Sequence, residues 1–271
     1  MIKGIKYHFS VAVYYIKLSV LKQLEYSLGI LGTIIMIPLI YATGILLLYF
    51  MVENYQALGG WTFPQLAFLY GLGYLSHGFM MVFSVQNWWI GSYVIRGEFD
   101  RMILRPISVF FQFSVRYFNI IGLMDVVVGI TIFLYACRLV EFQWTLINIM
   151  NISLIICGAT LIRSATFTIF CSSAFWTKRN ESIVNLLNDF MERTTLYPIS
   201  IYPNFIQVIL TFIIPIAFIS FYPSSYLLDK NVGLQIPINM ALWVLMMGLG
   251  MFFLSKAVFN LGLKKYESAG S

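Results

Sequence analysis

Residues 27–52, SLGILGTIIMIPLIYATGILLLYFMV, decide the fold, because this stretch carries no charged residue over its whole length. About 20 consecutive apolar residues are enough for an α-helix to cross the hydrocarbon core of a bilayer. A strand of a membrane β-barrel is only about 10 residues long and alternates apolar with polar positions. The stretch therefore predicts a transmembrane helix.

Five further stretches have the same character. Counting Lys, Arg, Asp, Glu and His, they are 64–95 with only His77, 117–137 with only Asp125, 142–177 with only Arg163, and the stretches 199–228 and 231–255 with none. Only 10% of the chain is charged and 60% is hydrophobic, whereas a soluble domain carries about 25% charged residues. The gaps leave no room for a soluble domain, so we predict an all-α integral membrane protein with six transmembrane helices.

The basic residues predict the orientation of these helices. If the N-terminus is cytoplasmic, all 17 Lys and Arg except Arg138, Arg163 and Lys230 lie in the cytoplasmic segments, as the positive-inside rule requires. Because the charges flank apolar runs, the net charge of +6 indicates a membrane surface rather than a nucleic acid partner. We expect both termini in the cytoplasm, loops 53–63, 138–145 and 229–235 outside, and the inner or plasma membrane of a bacterial cell.

Two segments between the spans are amphipathic. Residues 1–26 place apolar side chains at helical spacing among lysines, which predicts a helix lying in the membrane interface; the alternative is a poorly ordered tail. Residues 180–196 have a second apolar face, which predicts another helix at the inner surface. The expected organisation is thus an interfacial helix over 1–26 followed by a transmembrane domain over 27–271.

Prolines indicate where spans bend. Pro38 lies inside the first span and should kink it. As a single helix, residues 199–228 would be about 45 Å long, against a hydrocarbon core of about 30 Å. Pro215 and Pro223 interrupt its hydrogen bonding, so we expect a bend there, or a short helix that dips back from the outer face.

One aspartate, one arginine and one histidine lie within the predicted spans. Helical rise places Asp125 and Arg163 about 8 Å apart in depth, within reach of a long arginine side chain. Intramembrane charges usually face the bundle interior, so we predict an ion pair that stabilises the bundle; the alternative is a polar contact in a substrate path. For His77 we predict a hydrogen bond between helices rather than a role in proton transfer.

Residues 96–106 are the most densely charged part of the chain. The sequence RGEFDRMILRP places Glu98 and Asp100 before Arg101 and Arg105, the order that suits a helix dipole. Pro106 should end this helix. We predict a short amphipathic helix with Phe99 on its apolar face; it is either a solvated anchor of the topology or a contact site for a cytoplasmic partner.

Catalytic and cofactor motifs are missing from the sequence. It has no phosphate-binding GxxxxGK[ST], no HExxH, no GxSxG and no CxxC among its three cysteines. We therefore expect no catalytic residue, no metal site and no cofactor on this chain.

Two stretches resemble a known family. GEFDRMILRPISVFFQ, residues 97–112, is similar to the cytoplasmic loop of the type-2 ABC transporter permeases (ABC-2), in particular their small six-span branch. Residues 197–228, YPISIYPNFIQVILTFIIPIAFISFYPSSYLL, resemble the same branch in their spaced prolines. The two stretches and the pattern of spans together cover most of the chain.

The resemblance implies the membrane half of an ATP-driven exporter. Two six-span halves, identical or related, would pair, and a dimer of a separate ATP-binding protein would dock on their cytoplasmic loops and hold the ATP and magnesium. Residues 96–106 would be the coupling helix, 1–22 an interfacial elbow, and the segment after Pro223 an outer re-entrant gate.

The expected contacts of the coupling helix follow from its amphipathic pattern. We expect apolar anchors to fill a groove of the partner, with charges at its rim. The predicted partner-binding residues are Glu98, Phe99, Asp100, Arg101, Ile103 and Arg105. An autonomous secondary transporter or channel is the alternative function, although such proteins usually show inverted repeats and charges converging at the midplane.

Overall fold

The computed structural model describes residues 2–25, 27–55, 57–231 and 239–267. Within these residues the chain is helical, without a β-strand beyond one isolated bridge between Leu58 and Trp61. The helices are α1 Ile2–Leu24, α2 Ser27–Tyr55, α3 Phe63–Ser84, α4 Ile90–Ile95, α5 Glu98–Ile103, α6 Val109–Val115, α7 Gly122–Leu139, α8 Leu146–Cys171, α9 Ala174–Thr177, α10 Glu181–Leu196, α11 Asn204–Val208, α12 Phe221–Leu227 and α13 Met240–Leu263.

In the part of the chain that the structure describes, five helical stretches are long and apolar enough to cross a membrane, and a bent helix pair over 204–227 would be a sixth if it were one span. The five are Gly32–Glu53, Phe63–Ile95, Gly122–Leu139, Leu146–Thr177 and Met240–Leu263. Each coincides with one of the apolar runs of the sequence, since only a helix satisfies all backbone hydrogen bonds within one apolar segment. The second stretch comprises α3, a 3₁₀ segment Val85–Trp89 and α4, so it is less regular than the single helix expected there.

Glycines allow the crossing helices to pack closely. An added Cβ on Gly158 of α8 would lie 2.5 Å from the Val244 carbonyl oxygen of α13, and one on Gly248 would lie 2.6 Å from the Gly158 oxygen. On α3, a Cβ at Gly78 would meet the Val126 nitrogen of α7 at 2.7 Å. Small residues at such contacts are typical of membrane helices, because association there depends on close packing.

The bundle has two distinct ends. At one end, which we call the basic end, segments 96–116 and 174–180 meet α1 and the end of α13. There the Ser19 hydroxyl donates to the Arg116 carbonyl, and Phe99 packs on Tyr266. The opposite end, called the far end, holds the loops 57–62 and 140–145. The predicted loop 229–235 lies outside the described residues beyond Asn231.

α10 does not lie along a membrane surface as the sequence suggested. It starts near the basic end, where the Asn180 side chain donates to the Trp88 carbonyl, and it reaches the Arg163 side chain of α8 through Thr195. Immediately after it, the Ser200 hydroxyl donates to the Gly59 carbonyl at the far end. α10 is 16 residues long, about 24 Å, so with the residues that follow it this helix runs from the basic end to the far end. We take it as the fifth crossing, although it is not among the five apolar stretches.

Residues 204–227 form a hairpin that leaves and re-enters the far end. Ser200 lies there before the hairpin, and after it the Lys230 amine donates to the Gly60 carbonyl at 2.7 Å and lies over the Trp61 ring. The two arms, Asn204–Ile213 and Ile216–Leu227, are bent by 76°. The expected break thus falls at Pro215, between the arms.

The other two prolines behave differently from Pro215. Pro223 is the third residue of α12 and belongs to its first turn, where a missing backbone N–H costs little. α2 continues through Pro38 from Ser27 to Tyr55. The predicted re-entrant segment therefore begins well before Pro223.

Candidate functional site: a coupling hairpin and an intramembrane polar cavity

The charged loop 96–106 contains the short helix α5, and together with the flanking short helices α4 and α6 it forms a hairpin. Gly97 adopts a left-handed conformation with φ of 65°, which glycine tolerates without strain, and this residue separates α4 from α5. The predicted helix over 96–106 is thus shorter, Glu98–Ile103, and a turn containing Pro106 leads to α6. Acidic residues occupy its first turn and Arg101 its last, as expected. We call residues 90–115 the coupling hairpin.

Phe99 does not project toward a partner, which corrects the sequence prediction. Its side chain is fully buried. It packs within 6 Å, between ring centroids, of five aromatic rings from α4, α6, α9, α13 and the segment after α13: Tyr93, Phe113, Phe175, Phe259 and Tyr266. We call these six residues the aromatic cluster. The apolar face of α5 is thus used to attach the coupling hairpin to its own bundle.

Glu98 is also turned toward its own chain rather than to the rim of a partner groove. Its carboxylate accepts a hydrogen bond from the Arg116 guanidinium at 2.6 Å and lies 4.0 Å from Arg96. The Arg105 guanidinium donates to the Tyr15 hydroxyl of α1. Asp100 is half-buried, and Gln112 donates to the carbonyls of Met102 and Ile107. These contacts fix the turn between α5 and α6.

The end of α5 and the residue that follows it carry exposed side chains. Leu104 has 86% of its surface accessible, Ile103 has 50%, and Arg101 is exposed beside them. A leucine this exposed at the basic end, next to a second exposed aliphatic side chain, is a candidate protein contact. The sequence prediction did not include Leu104. An apolar residue placed directly between a predicted helix and Arg105–Pro106 could have indicated an exposed contact residue.

A cavity lies inside the bundle between α2, α3, α7, α8 and α10, and we call it the polar cavity because charged and hydroxyl side chains line it. Its volume is about 210 Å³. Its chemically active lining comprises Tyr41, Tyr74, His77, Asp125, Arg163, Glu192 and Thr195. The cavity therefore brings together the three intramembrane residues that the sequence singled out, and adds two tyrosines and a glutamate that it did not.

Asp125 and Arg163 share this cavity but do not form the predicted ion pair. The Asp125 carboxylate accepts a hydrogen bond from the Tyr41 hydroxyl at 2.7 Å, and the Arg163 guanidinium donates to the Thr195 hydroxyl at 2.9 Å. Among the described residues, side-chain ion pairs within 4.0 Å involve Glu98 with Arg96 and Arg116. His77 packs edge-on against Tyr74, with ring centroids 5.8 Å apart.

In its second half, α10 carries three charged residues near the polar cavity or on its own exposed face. Glu192 lines the cavity, and Asp189 and Arg193 are exposed on the same helix. Because α10 crosses the bundle, these charges lie at membrane depth, where contact with lipid is costly. The exposed face of α10 is therefore suited to water or protein rather than to acyl chains.

Double-mutant cycles should separate these contacts. Tyr41→Phe and Asp125→Ala remove the same hydrogen bond, so we expect a coupling free energy of about 1 kcal/mol between them. Asp125→Ala and Arg163→Gln remove different hydrogen bonds and should show a smaller coupling. Unfolding of the purified chain in mixed micelles measures both; a larger coupling for the second pair would restore the ion-pair interpretation.

The fold and these two sites define a multi-pass helical membrane protein with charged side chains around an internal cavity and a charged hairpin at its basic end. No group of three His, Cys, Asp or Glu side chains able to hold a metal is found in the described part of the chain. A family model for the ABC-2 family transporter protein matches residues 38–270. The chain therefore belongs to the ABC-2 transporter family, the membrane components of ABC-type transporters. The comparisons with curated proteins and with solved structures gave no match.

Proposed function

We propose that this chain is one half of the translocation pathway of an ABC exporter. Two six-span halves pair, and a separate ATP-binding dimer, which holds the ATP and magnesium, docks at the basic end. The observation that carries the proposal is the charged face of α10 at membrane depth, with Glu192 on the cavity and Asp189 and Arg193 exposed. A second half facing this helix would enclose a polar path between the two chains.

The coupling hairpin is the surface for the ATP-binding subunit in this proposal. Exposed Ile103 and Leu104 supply apolar anchors, and Arg101 supplies a charge beside them. α1 lies in the membrane interface as an elbow, held by hydrogen bonds from Ser19 and Gln23 to the carbonyls of Arg116 and Phe118. The hairpin 204–227 forms the outer gate.

Purification tests the assembly directly. A tagged chain extracted from its native membrane in mild detergent should retain an ATP-hydrolysing subunit in equal numbers, and the reconstituted complex should couple hydrolysis to transport. A chain that transports substrate in vesicles without any ATP-binding protein would instead be an autonomous transporter or channel.

The proposed orientation places the basic end in the cytoplasm. In a background with the exposed Cys157 replaced by serine, an impermeant maleimide added to whole cells should label Gln143→Cys at the far end. The same reagent should spare Lys265→Cys, which lies just after α13 at the basic end, until the cells are opened. The reverse labelling pattern would contradict the proposed orientation.

A further inference from the structure

A second, larger cavity opens at the basic end, between α1, α2, the 3₁₀ segment Val85–Trp89, α4 and the stretch 116–121. Its volume is about 910 Å³, at the upper end of the range for ligand pockets. Its lining includes Arg96 and Glu98 of the coupling hairpin but none of the exposed residues Arg101, Ile103 and Leu104. It is therefore a different site from the surface proposed for the ATP-binding subunit.

The charge of this cavity is positive. Lys22, Arg96 and Arg116 line it together with a single acidic side chain, Glu98. Glu98 bonds Arg116 at 2.6 Å and lies 4.0 Å from Arg96, so its charge is shared mainly with Arg116. Arg96 is held by hydrogen bonds from its guanidinium to the Ser92 hydroxyl. The positive charges of Lys22 and Arg96 are thus less neutralised than that of Arg116, and they can attract an anion.

Aromatic side chains locate the cavity at the membrane interface. Trp89 and Tyr117 line it and pack edge-to-face, with ring centroids 4.9 Å apart. Tryptophan and tyrosine concentrate at the level of lipid head groups. The Tyr117 hydroxyl is protonated at neutral pH, as tyrosine ordinarily is, and it can donate a hydrogen bond; burial raises its pKa further.

Part of the cavity wall is aliphatic. Leu18 of α1 and Ile121 before α7 line the cavity, and Leu18 and the neighbouring Leu21 are exposed. A free phosphate ion gains nothing from such a wall, whereas the glycerol and first acyl carbons of a lipid do. Positive pockets between helices near the membrane surface are known to take lipid head groups.

We propose that this cavity binds the phosphate head group of an anionic phospholipid from the leaflet at the basic end. Lys22 and Arg96 contact the phosphodiester, Tyr117 donates to it, and the acyl chains leave along Leu18 and Ile121. The site lies against the Glu98–Arg116 pair, so the bound lipid touches the base of the coupling hairpin. The proposal holds whether or not the chain works with an ATP-binding subunit.

Native mass spectrometry of the purified full chain, titrated with phosphatidylglycerol or phosphatidylcholine, tests the proposal. Wild type should retain phosphatidylglycerol in preference to phosphatidylcholine, and Lys22→Gln with Arg96→Gln should weaken its binding about tenfold or more. The matched control, Lys17→Gln with Arg179→Gln, removes two exposed positive charges that do not line the cavity and should bind as wild type does.

Three outcomes would overturn the proposal. Equal losses in the two double variants would show general surface attraction rather than a site. Displacement of the lipid by millimolar inorganic phosphate would assign the cavity to a small anion. Release of the lipid when an ATP-binding subunit is added would indicate that the cavity instead binds an acidic side chain of that partner.

Discussion

Phe99→Ala is expected to destabilise the isolated chain by about 3 kcal/mol or more, with no ATP-binding subunit present. The side chain is fully buried and contacts five aromatic rings. Removing it leaves a cavity that rigid rings cannot fill by relaxation, and truncations of buried phenylalanines typically cost 3–5 kcal/mol. Denaturant unfolding of the purified chain measures the loss.

Ile103→Ala is the matched control for this prediction. Ile103 belongs to the same short helix, but half of its side chain is exposed, and surface substitutions usually change stability by no more than about 0.5 kcal/mol. Phe99→Leu should fall between the two. If Phe99→Ala and Ile103→Ala were equally mild, the aromatic cluster would not hold the coupling hairpin in place.

Leu104→Asp is expected to reduce ATP-driven transport by more than tenfold while leaving the stability of the isolated chain unchanged. Leu104 is 86% exposed and makes the apolar tip of the coupling hairpin. If it fills a pocket of the ATP-binding subunit, an aspartate there would bury an unpaired charge, and central apolar anchors commonly account for 2 kcal/mol or more of binding. Co-purification and stimulated ATP hydrolysis report the loss.

A second exposed leucine provides the control for Leu104→Asp. Leu146 is 76% exposed at the first position of α8, at the far end, where an acidic side chain is compatible with the helix dipole. Leu146→Asp should leave assembly and hydrolysis intact. Unchanged hydrolysis in Leu104→Asp as well would leave the hairpin as a topological anchor only.

The apolar runs were sufficient to predict an all-α membrane protein, because a charge-free stretch of about 20 residues has few stable alternatives to a transmembrane helix. They were not sufficient for the fifth crossing. α10 contains charged residues at membrane depth and reads as a surface helix by hydropathy. Glu192 lines the polar cavity, and Asp189 and Arg193 are exposed. No local pattern in the sequence reveals these surroundings.

The candidate site shows the same limit at the level of single side chains. Helical rise gave the depths of Asp125 and Arg163, but the rotation of each helix decides which group it meets, and the partners proved to be Tyr41 and Thr195. Likewise, an apolar face on a short helix at a membrane surface does not reveal whether it packs on its own bundle or on another protein. Phe99 does the former, and Leu104 remains available for the latter.

The aromatic cluster has a mechanical consequence. It joins α5 to α4, α6, α9 and α13 through rings packed too closely to slide independently, and tightly packed interiors transmit displacement rather than absorb it. Displacement of α5 is therefore expected to move the end of α13, which packs closely on α8 where Gly158 and Gly248 approach each other. In the proposed complex, motion of the coupling hairpin would pass through the aromatic cluster to the α8–α13 pair, and α8 bears Arg163 on the wall of the polar cavity.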